Sequence, residues 1–214
     1  MLASSQELLQ FLNEILEMVH LTSGQAPLLK KKFDLKAILL KLIELNKAKA
    51  EQKKLALILE YDSALPAYLI GDPKRIQKIL LELLSNALNF THQGSVHISV
   101  QLAKATGQTA IIKILVSDTG EGISEDKKEE IFFIFNRLHP AYEGVYKGMG
   151  LGLTIAKQLI DDLEGDFYLE STLGKGSIFA CVLPLKKVLL EDDGSMLNRV
   201  GNQISTCRIE NKSC

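Results

Sequence analysis

Hydrophobic positions along this chain change period several times, and each change marks an element. Between Ser4 and Gly24, Leu8, Phe11, Leu12, Ile15, Leu16 and Val19 recur at helical spacing with acidic residues between them. This predicts an amphipathic helix capped by Ser4 or Ser5 and closing near Gly24. FDLKAILLKLIELNKAKAEQKK predicts a second helix, capped by Asp34, and KLALILEYD reads as a strand, followed by Pro66 and a turn at Gly71-Asp72-Pro73. From Pro73 to about Phe90, the apolar stripe Ile76, Ile79, Leu80, Leu83, Leu84 and Ala87 predicts a helix. On its adjoining face Glu82, Asn86 and Asn89 stand at i, i+4 and i+7. SVHISVQLA alternates cleanly and TAIIKILVSD is almost continuously apolar, so the two form a hairpin around TGQ. After the loop TGEGISED come a short helix near Lys127 to Phe133, a polar stretch to Gly148, and the helix LTIAKQLIDDL with Gly165 as its left-handed stop. Two strands, DFYLES and SIFACVLP, close the pattern, which lapses from Lys186 onward.

Helices mixed with strands and hairpins predict an α/β sandwich: a mixed, largely antiparallel sheet covered by helices, preceded by the amphipathic helix. Residues 25–185 form the domain, 1–24 a separate helical segment, and 186–214 a linker-like tail. With 214 residues, 46% of them hydrophobic, the chain can bury one good core. The formal net charge of -1 supplies no broad basic field, which argues against a nucleic-acid binder. No apolar run approaches the ~20 residues that span a bilayer, so direct membrane insertion is not expected. Cys181, Cys207 and Cys214 lack metal-ligand spacing, and their odd number suits reduced thiols in a cytoplasmic compartment.

Candidate chemistry begins with KGMGLGLTIAKQLI, where Gly148, Gly150 and Gly152 alternate just before a helix. A P-loop needs lysine and a hydroxyl directly after its last glycine, whereas Leu153 and Thr154 follow here; the G-x-G-x-G spacing also misses the dinucleotide fingerprint. What remains is a helix N-terminus whose freed amides face an anion. A second constellation is DTGEGI at the end of a buried strand. Asp118 can accept from an amino group while Gly120 and Gly122 let a flat ligand close in; a plain turn explains the same residues. Third, Asn86 offers one side-chain oxygen for magnesium, which keeps waters and takes phosphate oxygens readily, though an asparagine in a helix equally bonds locally.

The ordered set ELLSNALNFT, DTGEGI, IFFIFNRL, KGMGLGLTI and GKGS resembles the N, G1, F and G2 boxes and final glycine turn of sensor histidine kinase catalytic domains. These belong to the ATPase superfamily shared with gyrase B, Hsp90 and MutL. The resemblance covers roughly residues 33–185 and implies a Bergerat-type ATP-binding fold. It also implies that Asn86 holds Mg²⁺ bridging the ATP phosphates, that Asp118 accepts from the adenine amino group, and that Gly120, Gly122 and Ile123 shape the adenine pocket. Phe132 and Phe135 would anchor a lid of residues 137–149, with Gly148, Gly150 and Gly152 as hinge and phosphate-facing backbone beside Leu151 and Leu153. Arg137, Lys147 and Arg75 would be the nearby cations, each equally readable as a solvated charge. Gly174 and Gly176 would form the turn near the lid's base.

By the same resemblance, residues 1–24 are similar to the second helix of a dimerisation and phosphotransfer hairpin. The helix bearing the phosphoacceptor histidine is missing, and His20, His92, His97 and His139 do not replace it. The implied activity is transfer of the ATP γ-phosphoryl group to a histidine on a partner helix. The implied partners are that histidine-bearing helix or domain, a response regulator receiver domain and a second copy in a homodimer. The tail KKVLLEDDGSMLNRVGNQIS resembles the start of a receiver domain, and a solvated linker explains it as well. Three positions depart from the family pattern: Glu82 replaces asparagine, Asn89 replaces lysine and Met149 replaces threonine. Glu82 opens a reading as a slow ATPase with a carboxylate base. Asn89 and Met149 open another, a nucleotide-binding interaction module without transfer.

Overall fold

The computed structural model describes residues 27–133 and 150–188, together with Leu12 and Leu16. Among the described residues seven strands form one sheet: β1 (Lys31–Phe33), β2 (Ala56–Tyr61), β3 (Leu69–Gly71), β4 (Ser95–Thr106), β5 (Thr109–Asp118), β6 (Asp166–Thr172) and β7 (Gly176–Lys187). The order is β1-β3-β7-β5-β4-β2, with β6 paired to β7 beside β3. Only β2 and β4 run parallel; every other pair is antiparallel. Parallel neighbours need a long crossover, and this one carries α2 (Pro73–Phe90) onto the sheet. With α1 (Leu35–Gln52) and α3 (Gly152–Asp162) it forms a helical layer.

The core lies between these two layers. Period-2 alternation turns Val96, Ile98 and Val100 of β4, Ala110, Ile112, Ile114 and Val116 of β5, and Phe179, Cys181, Leu183 and Leu185 of β7 into it. From above, α2 inserts its predicted stripe from Ile76 to Ala87, all buried, and adds Leu88. Its start is set by Asp72, whose side chain accepts from the Lys74 and Arg75 amides, with Pro73 at the first helical position. Asp34 caps α1 in the same way, accepting from the Ala37 amide.

Several expectations need correction. β1 and β3, three residues each, were absent from the sequence reading; they are edge elements too short to show alternation. The short helix near Lys127 to Phe133 is instead two single 3₁₀ turns, Glu125–Lys127 and Glu130–Phe132. The left-handed residue ending α3 is Glu164, at φ 57°, not Gly165. Gly165 meets a different need, because a Cβ there would stand 2.6 Å from the Val182 carbonyl oxygen. Strand β7 runs past Leu185 to Lys187, where Lys186 and Lys187 pair with Ile70 and Leu69. Of the N-terminal helix only Leu12 and Leu16 fall within the described residues; both are helical and exposed. The tail from residue 189 lies outside them.

Candidate functional site

Asp118 is the last residue of β5 and continues the inward-facing row Ile112, Ile114, Val116. Its cross-strand partner is Ser177 on β7, so two polar residues close an otherwise apolar row at the end of the sheet. The Gly120 amide donates to Asp118 Oδ1 at 2.8 Å. Burial pushes the carboxyl pKa above its ordinary value, while backbone donors at Gly120 and Ser177 offset part of that rise. The neighbouring hydroxyls are paired, with Ser171 Oγ 2.9 Å from Ser177 Oγ and accepting from the Ile123 amide at 2.8 Å. Ile123 itself is buried against the core.

Gly120 and Gly122 are required by the packing of their own loop. At Gly120 a Cβ would collide with the Phe90 carbonyl at the end of α2, and the following amide, Glu121, donates to that same carbonyl at 3.2 Å. At Gly122, with φ +67°, it would collide with the Thr172 carbonyl at the end of β6. Both glycines therefore let this loop lie against the helix end and the sheet end at once.

The second wall is the polar face of α2. Glu82, Asn86 and Asn89 are half-buried on it, as the spacing predicts. Among the described residues the Asn86 side chain makes no hydrogen bond, whereas its neighbours are engaged. Lys78 pairs with Glu82 at 2.9 Å, and Lys49 Nζ donates to Asn89 Oδ1 at 2.6 Å. Glu82 also reaches α3, where its Oε2 fills the space a Cβ on Gly152 would need. Gly150 adopts φ 73° just before that helix, and Leu151, buried in the core, accepts from the Ile155 amide at 2.9 Å. Leu153 packs partly buried against the core.

Phe132 sits where the described chain approaches residue 133. Its ring meets Phe167 edge-on at 5.5 Å, and its carbonyl accepts from the Thr154 hydroxyl at 2.9 Å. The first turn of α3 and the 3₁₀ turn are thus tied together. Phe135, Arg137, Lys147, Gly148 and Met149 lie outside the described residues. Arg75 does not belong with the site, because it pairs with Asp72 and with Asp162 at the far end of α3. Along the α2 axis that is about 16 Å from Asn86 at ~1.5 Å per residue. Among the histidines, His92 pairs with Glu121 at 3.0 Å and His97 lies 3.3 Å from Glu60 on the open face of the sheet.

Sequence reasoning missed Ser171 and Ser177, although a serine directly after GKG was a visible signal. It also missed Lys49 and Lys53. Lys53 Nζ donates to the carbonyls of Leu88, Asn89 and Thr91 at 2.7, 2.8 and 3.1 Å, closing the C-terminal end of α2. Nothing in the pattern of α1 distinguishes these two lysines from its solvated ones.

A mixed, largely antiparallel sheet under three helices, with a buried carboxylate at the end of β5 and, on α2 above it, an asparagine without a side-chain partner among the described residues, defines a nucleotide-binding α/β sandwich. The chain belongs to the histidine kinase-, DNA gyrase B- and HSP90-like ATPase family, whose profile matches residues 71–187. Curated relatives include the hybrid signal transduction histidine kinase L of Dictyostelium discoideum, 34% identical over 91% of this chain and 11% of that protein. The sensor protein GacS of Pseudomonas syringae pv. syringae is 34% identical over 91% of this chain and 21% of that protein. The chain thus spans a quarter or less of these relatives' length. Among solved structures, full-length ShkA in complex with AMPPNP superposes with a TM-score of 0.75 at 27% identity, covering 87% of this chain and 37% of that one. The histidine kinase AdeS of Acinetobacter baumannii does so at 0.66 and 25%, covering 85% and 80%.

Proposed function

We propose that this chain is the catalytic part of a two-component sensor kinase that binds ATP with Mg²⁺ and passes the γ-phosphoryl group to a histidine on a partner helix. The observation that carries this reading is the contrast on α2: Asn86 has no protein partner among the described residues while Glu82 and Asn89 on either side are held. An unpartnered side-chain amide on the helical layer and a buried carboxylate at the end of the sheet below it suit a ligand with phosphates at one end and an amino group at the other.

In this reading Asp118 accepts from the adenine amino group, the Gly120–Ile123 loop and Ile123 bound the ring, and the amides at the start of α3 face the phosphates. Among the described residues no cluster of three His, Cys, Asp or Glu side chains could hold a metal. A donor set of one protein oxygen, on Asn86, with the rest from phosphates and water is one that magnesium accepts. When bound, the ion neutralises charge on the phosphates. Arg137 and Lys147 supply further positive charge in the lid, residues 137–149, where Phe135 joins Phe132 as an anchor, and Gly148 completes its hinge. The segment 1–24 pairs with a histidine-bearing helix, and a receiver domain takes the phosphoryl group onward. No described helix is long and apolar enough to cross a membrane.

Calorimetric titration with ATP, with and without Mg²⁺, tests the reading alongside Asp118→Asn and Asn86→Ala. The expected result is weaker binding in the first variant and loss of magnesium dependence in the second. ATP binding by the wild type that neither variant alters would overturn it. Transfer is tested by adding a separate histidine-bearing helical hairpin and radiolabelled ATP.

A further inference from the structure

We propose that Lys49 on α1 is a positioning residue for the polyphosphate: it turns the Asn89 amide so that its N–H donors face the anion, and it backs them with a positive charge. This inference rests on the nucleotide reading of the site. Lys49 Nζ lies 2.6 Å from Asn89 Oδ1. An ammonium carries only donors, so it fixes the amide with oxygen inward and the two Nδ2–H donors turned away from it. Among the described residues those donors have no partner, and Asn89 shares its helix face with the equally free Asn86.

A purely structural role for Lys49 is already taken. Lys53, the residue that caps the end of α1, bonds the carbonyls of Leu88, Asn89 and Thr91, so the end of α2 is capped without Lys49. Lys49 has no carboxylate partner among the described residues, in contrast to Lys78 with Glu82 and Lys128 with Glu125. Half-buried and beside the Lys53 ammonium, it is a cation whose charge is opposed by burial first and by Lys53 second, and both lower its pKa. An anion on the exposed side of Asn89 relieves that cost. The ligand chemistry this favours is a di- or triphosphate, because a nucleoside alone brings no charge to meet it.

The test compares ATP with adenosine on the full chain, ATP by calorimetry and adenosine by NMR titration. Lys49→Met is expected to weaken ATP about tenfold, the scale of one charge-assisted hydrogen bond, and to leave adenosine within about twofold. Lys49→Arg is expected to restore most of the ATP affinity. Asn89→Ala is expected to reproduce the loss, and the double variant to add little to it. Equal weakening of ATP and adenosine would mean a structural tie only and overturn the proposal, as would ATP affinity unchanged in both single variants. A wild type that binds adenosine and ATP equally would also overturn it while leaving the adenine pocket standing. A wild type that binds neither would remove the nucleotide reading and this role together.

Discussion

Glu82 and Gly152 are fitted to one another across the α2–α3 contact: the carboxylate of the first fills the volume that any side chain on the second would need. Alanine normally improves an early helical position over glycine by up to about 1 kcal/mol. Here Gly152→Ala must push the Glu82 carboxylate away from its place beside Lys78. Gly152→Ala is therefore expected to give no stabilisation in the wild type but about 0.5 to 1 kcal/mol in a Glu82→Ala background, a coupling read from a double-mutant cycle by chemical denaturation. Additive effects would mean that the two side chains do not compete for that space.

If Asp118 binds the nucleotide as proposed, its burial sets binding against stability. Its folded pKa is raised, so the native state holds the proton more tightly than the unfolded chain does. Stability from this group falls as pH rises from the unfolded carboxylate value, about 4, through the folded pKa, and the penalty is complete above it. Asp118→Asn is thus expected to be more stable than wild type at pH 7, an advantage that disappears below about pH 4. The same variant is expected to bind ATP at least about tenfold more weakly. Thermal melts across pH, paired with titrations, check both.

Positive φ alone does not predict the cost of replacing a glycine. Gly122 and Gly174 have φ of +67° and +77°, yet a Cβ at Gly174 meets nothing within 4 Å while one at Gly122 runs into the Thr172 backbone. Gly174→Ala is expected to cost about 1 kcal/mol from the dihedral angle, and Gly122→Ala well over 2 kcal/mol. Denaturant midpoints of the two variants decide it.

Cys181 is buried in β7 and its thiol pKa is pushed up to about 12, chiefly by burial. The thiolate is scarce at any working pH and shielded besides, so a thiol-alkylating reagent is expected to leave the Cys181 peptide unmodified in the native protein and to label it fully in denaturant. Mass spectrometry of that peptide then reports global unfolding. Rapid native labelling would mean that β7 opens locally.

Elements with a long, strong period were legible in the sequence. The stripe from Ile76 to Ala87 gave α2, and the two runs around TGQ gave the β4–β5 hairpin, because burial on one face leaves a repeated mark. The strands β1 and β3 left none, being three residues long. Composition points to Gly165 for the stop after Leu163, whereas the left-handed turn falls on Glu164 and the glycine answers to the neighbouring strand. At the site, Asp118 and Asn86 stood out because their positions follow from the period of their own element. Lys49, Ser171 and Ser177 did not. Their meaning lies in contacts with other elements, 40 residues away for Lys49 and Asn89, which no local pattern records. Arg75 shows the reverse: its charge suggested the site, and the antiparallel lie of α2 and α3 carries it to Asp162 instead.

Among the described residues β7 is the last strand in sequence and the one with three neighbours, hydrogen-bonded to β3, β5 and β6. Until it is in place, Asp118 ends a strand with an open edge, without Ser177 opposite it and without the Thr172–Gly176 turn behind the Gly122 loop. The surroundings of Asp118 thus depend on a strand that lies nearly sixty residues further along the chain. A chain cut before residue 176 would lack that partner strand, so it is expected to offer no cradle for a nucleotide even where the β4–β5 hairpin forms.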